Sequence, residues 1–197
     1  MSHIEDVNIQ WQDTGNIDAF GRARVSELTT QFDAKQIYDN LPLFIDTVTN
    51  GTALSVHSTV EARSQLSTIL VGDYVISQTK QRFNYQSGKS QLIFMTCNNF
   101  QSETNIQKRI GYFSSSSVSP YTASLDGLFI ESGTNDKYSI NIYKTGTLTE
   151  QTLQSSWNLD RLDGNGKSGI NIDWSKNIIF VVDFEWLGVG RVRWGVV

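Results

Sequence analysis

Apolar and polar residues alternate with a period of two along much of the chain after about residue 53, as they do in half-buried β-strands. The clearest example is at residues 137–146, where Tyr138, Ile140 and Ile142 point one way and polar side chains mostly point the other. Segments of this length recur and are separated by Gly, Asn, Asp and Ser. This spacing predicts an all-β fold, an antiparallel β-sandwich of the jelly-roll or lectin-like type.

Further strands are predicted at residues 53–66, 68–85, 89–100, 109–117, 126–132, 177–186 and 190–197. The run at 89–100 is continuously apolar, which predicts a strand covered on both faces. The last two strands are expected to form a hairpin through Leu187, Gly188 and Val189. Residues 61–70 are the one stretch whose composition is compatible with a helix, although clear caps are missing.

Residues 1–49 differ from the rest of the chain because their apolar residues are scattered singly and follow neither period. They offer too little apolar surface for a core of their own. We therefore predict an extended N-terminal arm over residues 1–49 that gains order by lying on another surface, followed by a β-sandwich domain over residues 50–197.

The charge of the chain excludes some partners. Charged residues are 18% of the 197 residues and the net charge is −4, so we expect no direct binding of nucleic acid. The first residues lack the basic start and apolar stretch of a signal peptide, and apolar runs are too short for a membrane helix. The single cysteine, Cys97, is expected to be a small buried apolar residue. A soluble protein made in a reducing cytoplasm is predicted.

Two glycine- and lysine-containing segments superficially suggest nucleotide binding, QSGKSQ at 86–91 and GNGKSG at 164–169. A phosphate-binding loop needs a glycine five residues before the Gly-Lys pair and a helix after it. Phe83 and Arg161 occupy the glycine positions, and strand-like sequence follows both segments. Both are therefore predicted to be turns.

Oxygen ligands for calcium could come from Asp160, Asp163 and Asn165 in the second of these loops. Their spacing does not match the calcium loop of helix–loop–helix proteins, so a hydrogen-bonded turn is favoured. His3 and His57 are the only histidines and are far apart in sequence. We therefore predict neither a metal site nor a cofactor.

Glycoside hydrolysis would need two carboxyl groups about 5–10 Å apart. Asp183 and Glu185 are two residues apart on a predicted strand and therefore share a face; Asp126 and Glu131 are further carboxylates of this kind. The simpler interpretation makes Asp183 and Glu185 partners of the arginines at 191 and 193 on the next strand. An enzyme acting on cell-surface polysaccharide is thus the weaker hypothesis, and no catalytic residue is assigned.

Four of the five tryptophans, Trp157, Trp174, Trp186 and Trp194, fall near the C-terminal end of the sequence. In a β-sandwich such residues fill the core or an interface, where one aromatic ring buries about 150–250 Å². Exposed rings would instead stack on sugars. A lectin-like module that binds host-surface glycans is therefore the alternative function.

Several segments, in this order, resemble a family of virion structural proteins of tailed bacteriophages. They are DAFGRARVSELTTQFDAKQIYD (18–39), RFNYQSGKSQLIFMT (82–96), KRIGYF (108–113), DGLFIE (126–131), LDGNGKSG (162–169) and VDFEWLGVGRVRWGVV (182–197). The resemblance implies a non-enzymatic particle component, such as a minor capsid, head-fibre, fibre-anchoring or tail-associated protein. It also implies location in the virion after synthesis in the host cytoplasm.

An extended arm followed by a sandwich suits a shell or fibre, because arms reach neighbours and sandwiches form closed oligomers. The expected partners are other copies of the chain, with a trimer as one candidate, and other virion proteins. We expect the apolar arm residues to contribute more than exposed charges do. The candidate assembly contacts are Phe20, Arg22, Arg24, Phe32, Trp186, Arg191, Arg193 and Trp194.

Overall fold

A computed structural model describes residues 23, 29–84, 86, 88–115, 126–134, 137–185 and 191–197. Strands are paired antiparallel throughout these residues, and their one helix is a short 3-10 turn, Gln154–Ser156. The predicted all-β, antiparallel fold is confirmed. The strands are β1 (Ile45–Asn50), β2 (Leu54–Ser58), β3 (Arg63–Ser67), β4 (Tyr74–Thr79), β5 (Ser90–Cys97), β6 (Lys108–Ser114), β7 (Asp126–Ser132), β8 (Tyr138–Lys144), β9 (Thr147–Leu153), β10 (Ile178–Glu185) and β11 (Val192–Val196).

The chain divides into two compact units. Unit 2 spans Val25–Gln86, and unit 1 contains Ser87–Val197. Residues 45–49, the last of the predicted arm, belong to β1, which pairs with β4. Of residues 1–28 the structure describes only Ala23, so the arm stays a prediction over that part of the chain.

Unit 1 consists of two antiparallel sheets with strand orders β11-β10-β5 and β6-β7-β8-β9. One apolar cluster joins them, with Phe180 from the first sheet and Ile130 and Tyr138 from the second. Ile178 on β10, and Phe100 and Trp174 from the connections, complete the cluster, and the ring centres of Phe100 and Phe180 lie 5.3 Å apart. Two sheets that share one core form a β-sandwich, as the alternating pattern predicts.

Three of the tryptophans near the C-terminal end of the sequence belong to this cluster or pack against it. The rings of Tyr138 and Trp174 stack 4.1 Å apart, and Trp157 packs edge-on against Trp174. Trp194 on β11 also packs against the core. The expectation that these tryptophans fill a core is confirmed for Trp157, Trp174 and Trp194, while Trp186 lies outside the described residues.

One strand of unit 1 corrects a prediction. β5 is not covered on both faces along its whole length: Met95 and Cys97 pack against the core, whereas Phe94 on the other face is 60% exposed. β5 is an edge strand of an antiparallel sheet, and such a sheet needs only one covered face. Burial raises the pKa of the Cys97 thiol to about 11, partly opposed by the charge of Lys108.

Unit 2 consists of two two-stranded antiparallel sheets, β1-β4 and β2-β3. β3 covers the middle of the stretch considered for a helix, and its pairing with β2 shows that the helical alternative is wrong. Side-chain hydrogen bonds tie the long segments of this unit together. Lys80 Nζ donates to the carbonyl of Pro42 at 2.6 Å, and the ring of His57 lies 2.8 Å from the carbonyl of Gln36.

Candidate assembly surfaces

The C-terminal candidate contacts that the structure describes, Arg191, Arg193 and Trp194, lie on or beside the edge strand β11. Arg193 is directly opposite Asp183 on β10, and their side chains form an ion pair. This confirms the predicted pairing of the two strands. Arg191 is exposed, and Trp194 faces the core of unit 1.

The arm candidates are described only in part. Phe32 is half-buried and its ring packs edge-on against Phe83, with the ring centres 5.8 Å apart. Phe20, Arg22 and Arg24 lie outside the described residues. The role of all eight residues as assembly contacts therefore stays a prediction.

Unit 2 leaves an unusual amount of apolar surface uncovered. Among its described residues, Ala53 is the one buried apolar residue. About half of its larger apolar side chains are more than half exposed, with the highest exposure at Tyr38, Leu43, Val60, Ile69, Leu70 and Val71. The described part of unit 2 therefore has few fully buried apolar side chains, and a large share of its apolar side chains are exposed.

Three of these exposed residues are consecutive. Ile69, Leu70 and Val71 form the loop between β3 and β4, which we call the aliphatic loop, and they are 70%, 61% and fully exposed. Runs of three exposed apolar residues on a soluble protein usually serve a function. The sequence shows the run as TILVGD, but alternation alone does not reveal that all three side chains face solvent.

One carboxylate holds the aliphatic loop in shape. Asp73 accepts hydrogen bonds from the backbone N–H groups of Ile69 at 3.1 Å and Leu70 at 2.8 Å. It also accepts hydrogen bonds from the N–H and the hydroxyl of Thr52, at 3.1 and 2.5 Å. These bonds, that from the Thr52 hydroxyl most of all, lower the pKa of Asp73 to about 2. We call this arrangement the Asp73 clamp.

The glycine-rich loop after residue 159 is a hydrogen-bonded turn, as predicted. The Asp160 carboxylate accepts hydrogen bonds from the N–H groups of Leu162 at 2.8 Å and Ser168 at 2.6 Å, which lower its pKa. Asp163 accepts one from the N–H of Asn165 at 2.8 Å. The carboxylates proposed as calcium ligands thus bind their own backbone. No group of three or more metal-ligating side chains is found in the described part of the chain.

A shallow cleft beside the core is lined by Gln101, Asn171, Asp173 and Ser175, with Tyr138 and Trp174 at its base. Both aromatic residues are buried, and each ring packs on the other. Sugar stacking needs an uncovered ring face. The cleft therefore gives the glycan-binding alternative no specific support, and that alternative stays a prediction.

A cluster centred on Arg109, which the sequence pattern did not predict, lies on the face of the four-stranded sheet opposite the apolar core. Arg109 on β6 donates to Glu131 on β7 at 2.7 Å, and its guanidinium lies 5.0 Å from the ring centre of Phe129. The ring of Tyr143 lies 5.2 Å from that of Phe129. Cross-strand register places these side chains together, and register is not readable from single segments.

Among the residues that the structure describes, no helix is long and apolar enough to span a bilayer. Compared with known protein families, with curated proteins and with solved structures, the chain matches none of them.

Proposed function

We propose that this chain is a non-enzymatic structural component of a tailed-bacteriophage particle and that it works as a homo-oligomer. The observation that carries the proposal is the uncovered apolar surface of unit 2. The motif resemblance to phage virion proteins supplies the kind of assembly. Members of that family include minor capsid, fibre and tail-associated proteins. The proposed location of this chain is the virion.

Unit 2 is built from small sheets. Two-stranded sheets are marginally stable in water unless an apolar face is packed against something else. Both sheets of unit 2 are two-stranded, and Ala53 is the one fully buried apolar residue among those described in it. Covering one fully exposed Val, Leu or Ile contributes about 1.5–3 kcal/mol. Association with a partner that covers these side chains would therefore stabilise unit 2.

The composition of the chain supports a partner that is a protein. Charged residues are few and the net charge is −4, which gives no electrostatic attraction to nucleic acid. Proteins that pack against copies of themselves use uncharged polar and apolar surface of this kind. Other virion proteins are the second class of partner that we propose.

Mass spectrometry of purified phage particles tests the virion assignment. We expect peptides of this chain in particles that have been banded by density and treated with protease to remove loosely bound proteins. Its presence in infected-cell lysate and absence from such particles would contradict the assignment. A chain that lacks residues 1–32 should fold and fail to enter particles; normal incorporation of that truncated chain would contradict the role of the arm.

A further inference from the structure

We infer that Asn165 is a site of spontaneous covalent modification, the deamidation of an asparagine that precedes a glycine, and that Arg161 promotes the reaction. This modification is independent of the proposed assembly function. Asparagine is followed by glycine twice in the chain, at residues 50–51 and 165–166. The structure gives the two pairs different surroundings, and those of the second pair favour deamidation.

Deamidation at an Asn-Gly pair needs only the chain and water. The backbone nitrogen of the glycine loses its proton to solvent and attacks the side-chain carbonyl carbon of the asparagine. The side-chain nitrogen takes a proton from solvent and leaves as ammonia, which produces a five-membered succinimide ring. Water then opens the ring at either carbonyl, so the product is aspartate or isoaspartate and carries one more negative charge. Glycine suits the reaction because it has no β-carbon to obstruct ring closure.

The fold requires glycine at position 166. A β-carbon there would lie 2.8 Å from the carboxyl carbon of Asp160 and 2.9 Å from the backbone nitrogen of Arg161, closer than packed atoms approach. Hydrogen bonds from the N–H groups of Leu162 and Ser168 hold that carboxylate in place. Any larger residue would therefore disturb the turn, and the turn retains a reactive Asn-Gly pair.

Arg161 favours the first step of the reaction. Loss of the proton from the N–H of Gly166 places negative charge on that nitrogen and on the carbonyl oxygen of Asn165, because both atoms belong to one conjugated peptide group. The guanidinium of Arg161 donates a hydrogen bond to this oxygen at 3.0 Å, and it also lies 3.7 Å from the carboxylate of Asp163. A charged donor at the atom where negative charge develops lowers the barrier, as the donors of an oxyanion hole do.

The nitrogen of Gly166 is available for the attack. Within the described part of the chain, its N–H makes no hydrogen bond, and Asn165 is exposed to the water that opens the ring. The preceding pair, Asp163 and Gly164, could form the same ring, but the N–H of Gly164 donates to the carbonyl of Ile170 at 2.9 Å. The loop therefore leaves one of its two candidate nitrogens open to reaction.

The Asn-Gly pair at residues 50–51 has a neutral donor in the corresponding place. The carbonyl of Asn50 accepts a hydrogen bond from the backbone N–H of Ala53 at 3.3 Å. Asn50 is also held in β1 opposite Tyr74, and its side-chain amide donates to the carbonyl of Gly72 at 3.2 Å. Both glycines lie against a carboxylate, so that feature does not distinguish the two sites. The charged donor therefore makes Asn165 the faster site.

The test follows both asparagines in one protein. The full-length chain is incubated in mildly alkaline buffer at physiological temperature, and peptide mapping by mass spectrometry gives the deamidated fraction at Asn50 and Asn165 over time. Labelling with an isoaspartate methyltransferase identifies the isoaspartate product. The same chain unfolded in urea is the reference, because both pairs have then lost their folded surroundings.

Two variants isolate the contribution of the arginine. Arg161→Gln removes the charged donor, and Lys167→Gln is the matched control, because it removes a positive charge from the same loop and keeps Arg161. Circular dichroism checks that both variants are folded. The comparison of the two asparagines in the wild-type chain needs no variant.

We expect Asn165 to deamidate faster than Asn50 in the folded chain and at a similar rate in urea. Arg161→Gln should slow the reaction at Asn165 about fivefold to tenfold, less than the loss of an enzyme's oxyanion-hole donor because the loop is open to water. Lys167→Gln should leave the rate nearly unchanged. Deamidation of Asn50 as fast as that of Asn165 in the folded chain would overturn the inference, and so would an unchanged rate in folded Arg161→Gln.

Discussion

Arg193 on β11 forms an ion pair with Asp183, the residue directly opposite it on β10, and Asp183 is only 5% exposed. The pair therefore holds an edge strand to the centre of its sheet with one charge withdrawn from water. The desolvation of such a carboxylate is offset only while its partner is present. Pairing with an arginine of the next strand was the simpler alternative to a catalytic role for Asp183. The observed ion pair gives Asp183 a structural role.

Replacing Arg193 with Met should destabilise the protein by about 3 kcal/mol, the lower end of the range for leaving a buried charge without its partner. Replacing Lys35 with Met is the control, because Lys35 pairs with Asp33 at 3.0 Å on the exposed surface. Its effect should be below about 0.5 kcal/mol. Urea denaturation measures both. Equal losses of stability in the two variants would show that the buried pair contributes no more than the exposed pair.

Phe180 and Phe94 lie on adjacent strands of one sheet and on opposite faces of it. Phe180→Ala should cost about 3–5 kcal/mol, since the ring is 1% exposed and its loss leaves a cavity in the core. Phe94→Ala, on the open face, should cost far less. Chemical denaturation compares the two variants. A larger loss for Phe94→Ala would show that the faces have been assigned the wrong way round.

Gly111 allows close packing at a point where a side chain does not fit. A β-carbon there would lie 2.5 Å from the α-carbon of Phe129, which is backbone and cannot easily move aside. Gly111→Ala should therefore destabilise unit 1 by about 1–3 kcal/mol. Gly195→Ala is the matched strand control, because a β-carbon at Gly195 meets no atom within 4 Å. Thermal melting of both variants measures the effect. An unchanged melting temperature in Gly111→Ala would refute the close contact.

The Asp73 clamp should depend on pH in a defined window. The pKa of Asp73 is about 2 in the folded chain, below its ordinary value of 3.8. A lowered folded-state pKa means that the clamp's contribution is present above about pH 4 and is lost as the pH falls through about 2. Carboxyl-carbon NMR titration measures this pKa directly. Titration near 3.8 would show that the clamp does not form in solution.

Alternation made much of the fold predictable, and the reasons are visible in single strands. The segment predicted at residues 137–146 contains β8, because its Tyr and Ile residues mark one face clearly. The pairing of Asp183 with Arg193 was predictable because both strands have a period of two and follow each other closely. The continuous apolar run of β5 has no such alternation, so its open face was missed.

The aliphatic loop shows why the candidate site was harder to predict. Asp73 and Thr52 are far apart in sequence, and nothing in either segment indicates that they meet. The usual expectation also places Ile, Leu and Val inside a protein. The exposure of this loop therefore contradicts what its local sequence predicts, as is common at functional surfaces.

Sedimentation equilibrium of the wild-type chain over a range of protein and salt concentrations tests the central claim most directly. The claim is that uncovered apolar surface in unit 2 drives assembly of identical chains. We expect a mass that is a multiple of the 22.1 kDa monomer and that persists at high salt, because an apolar contact is not screened as ion pairs are. A mass of 22.1 kDa at every protein and salt concentration would contradict the account.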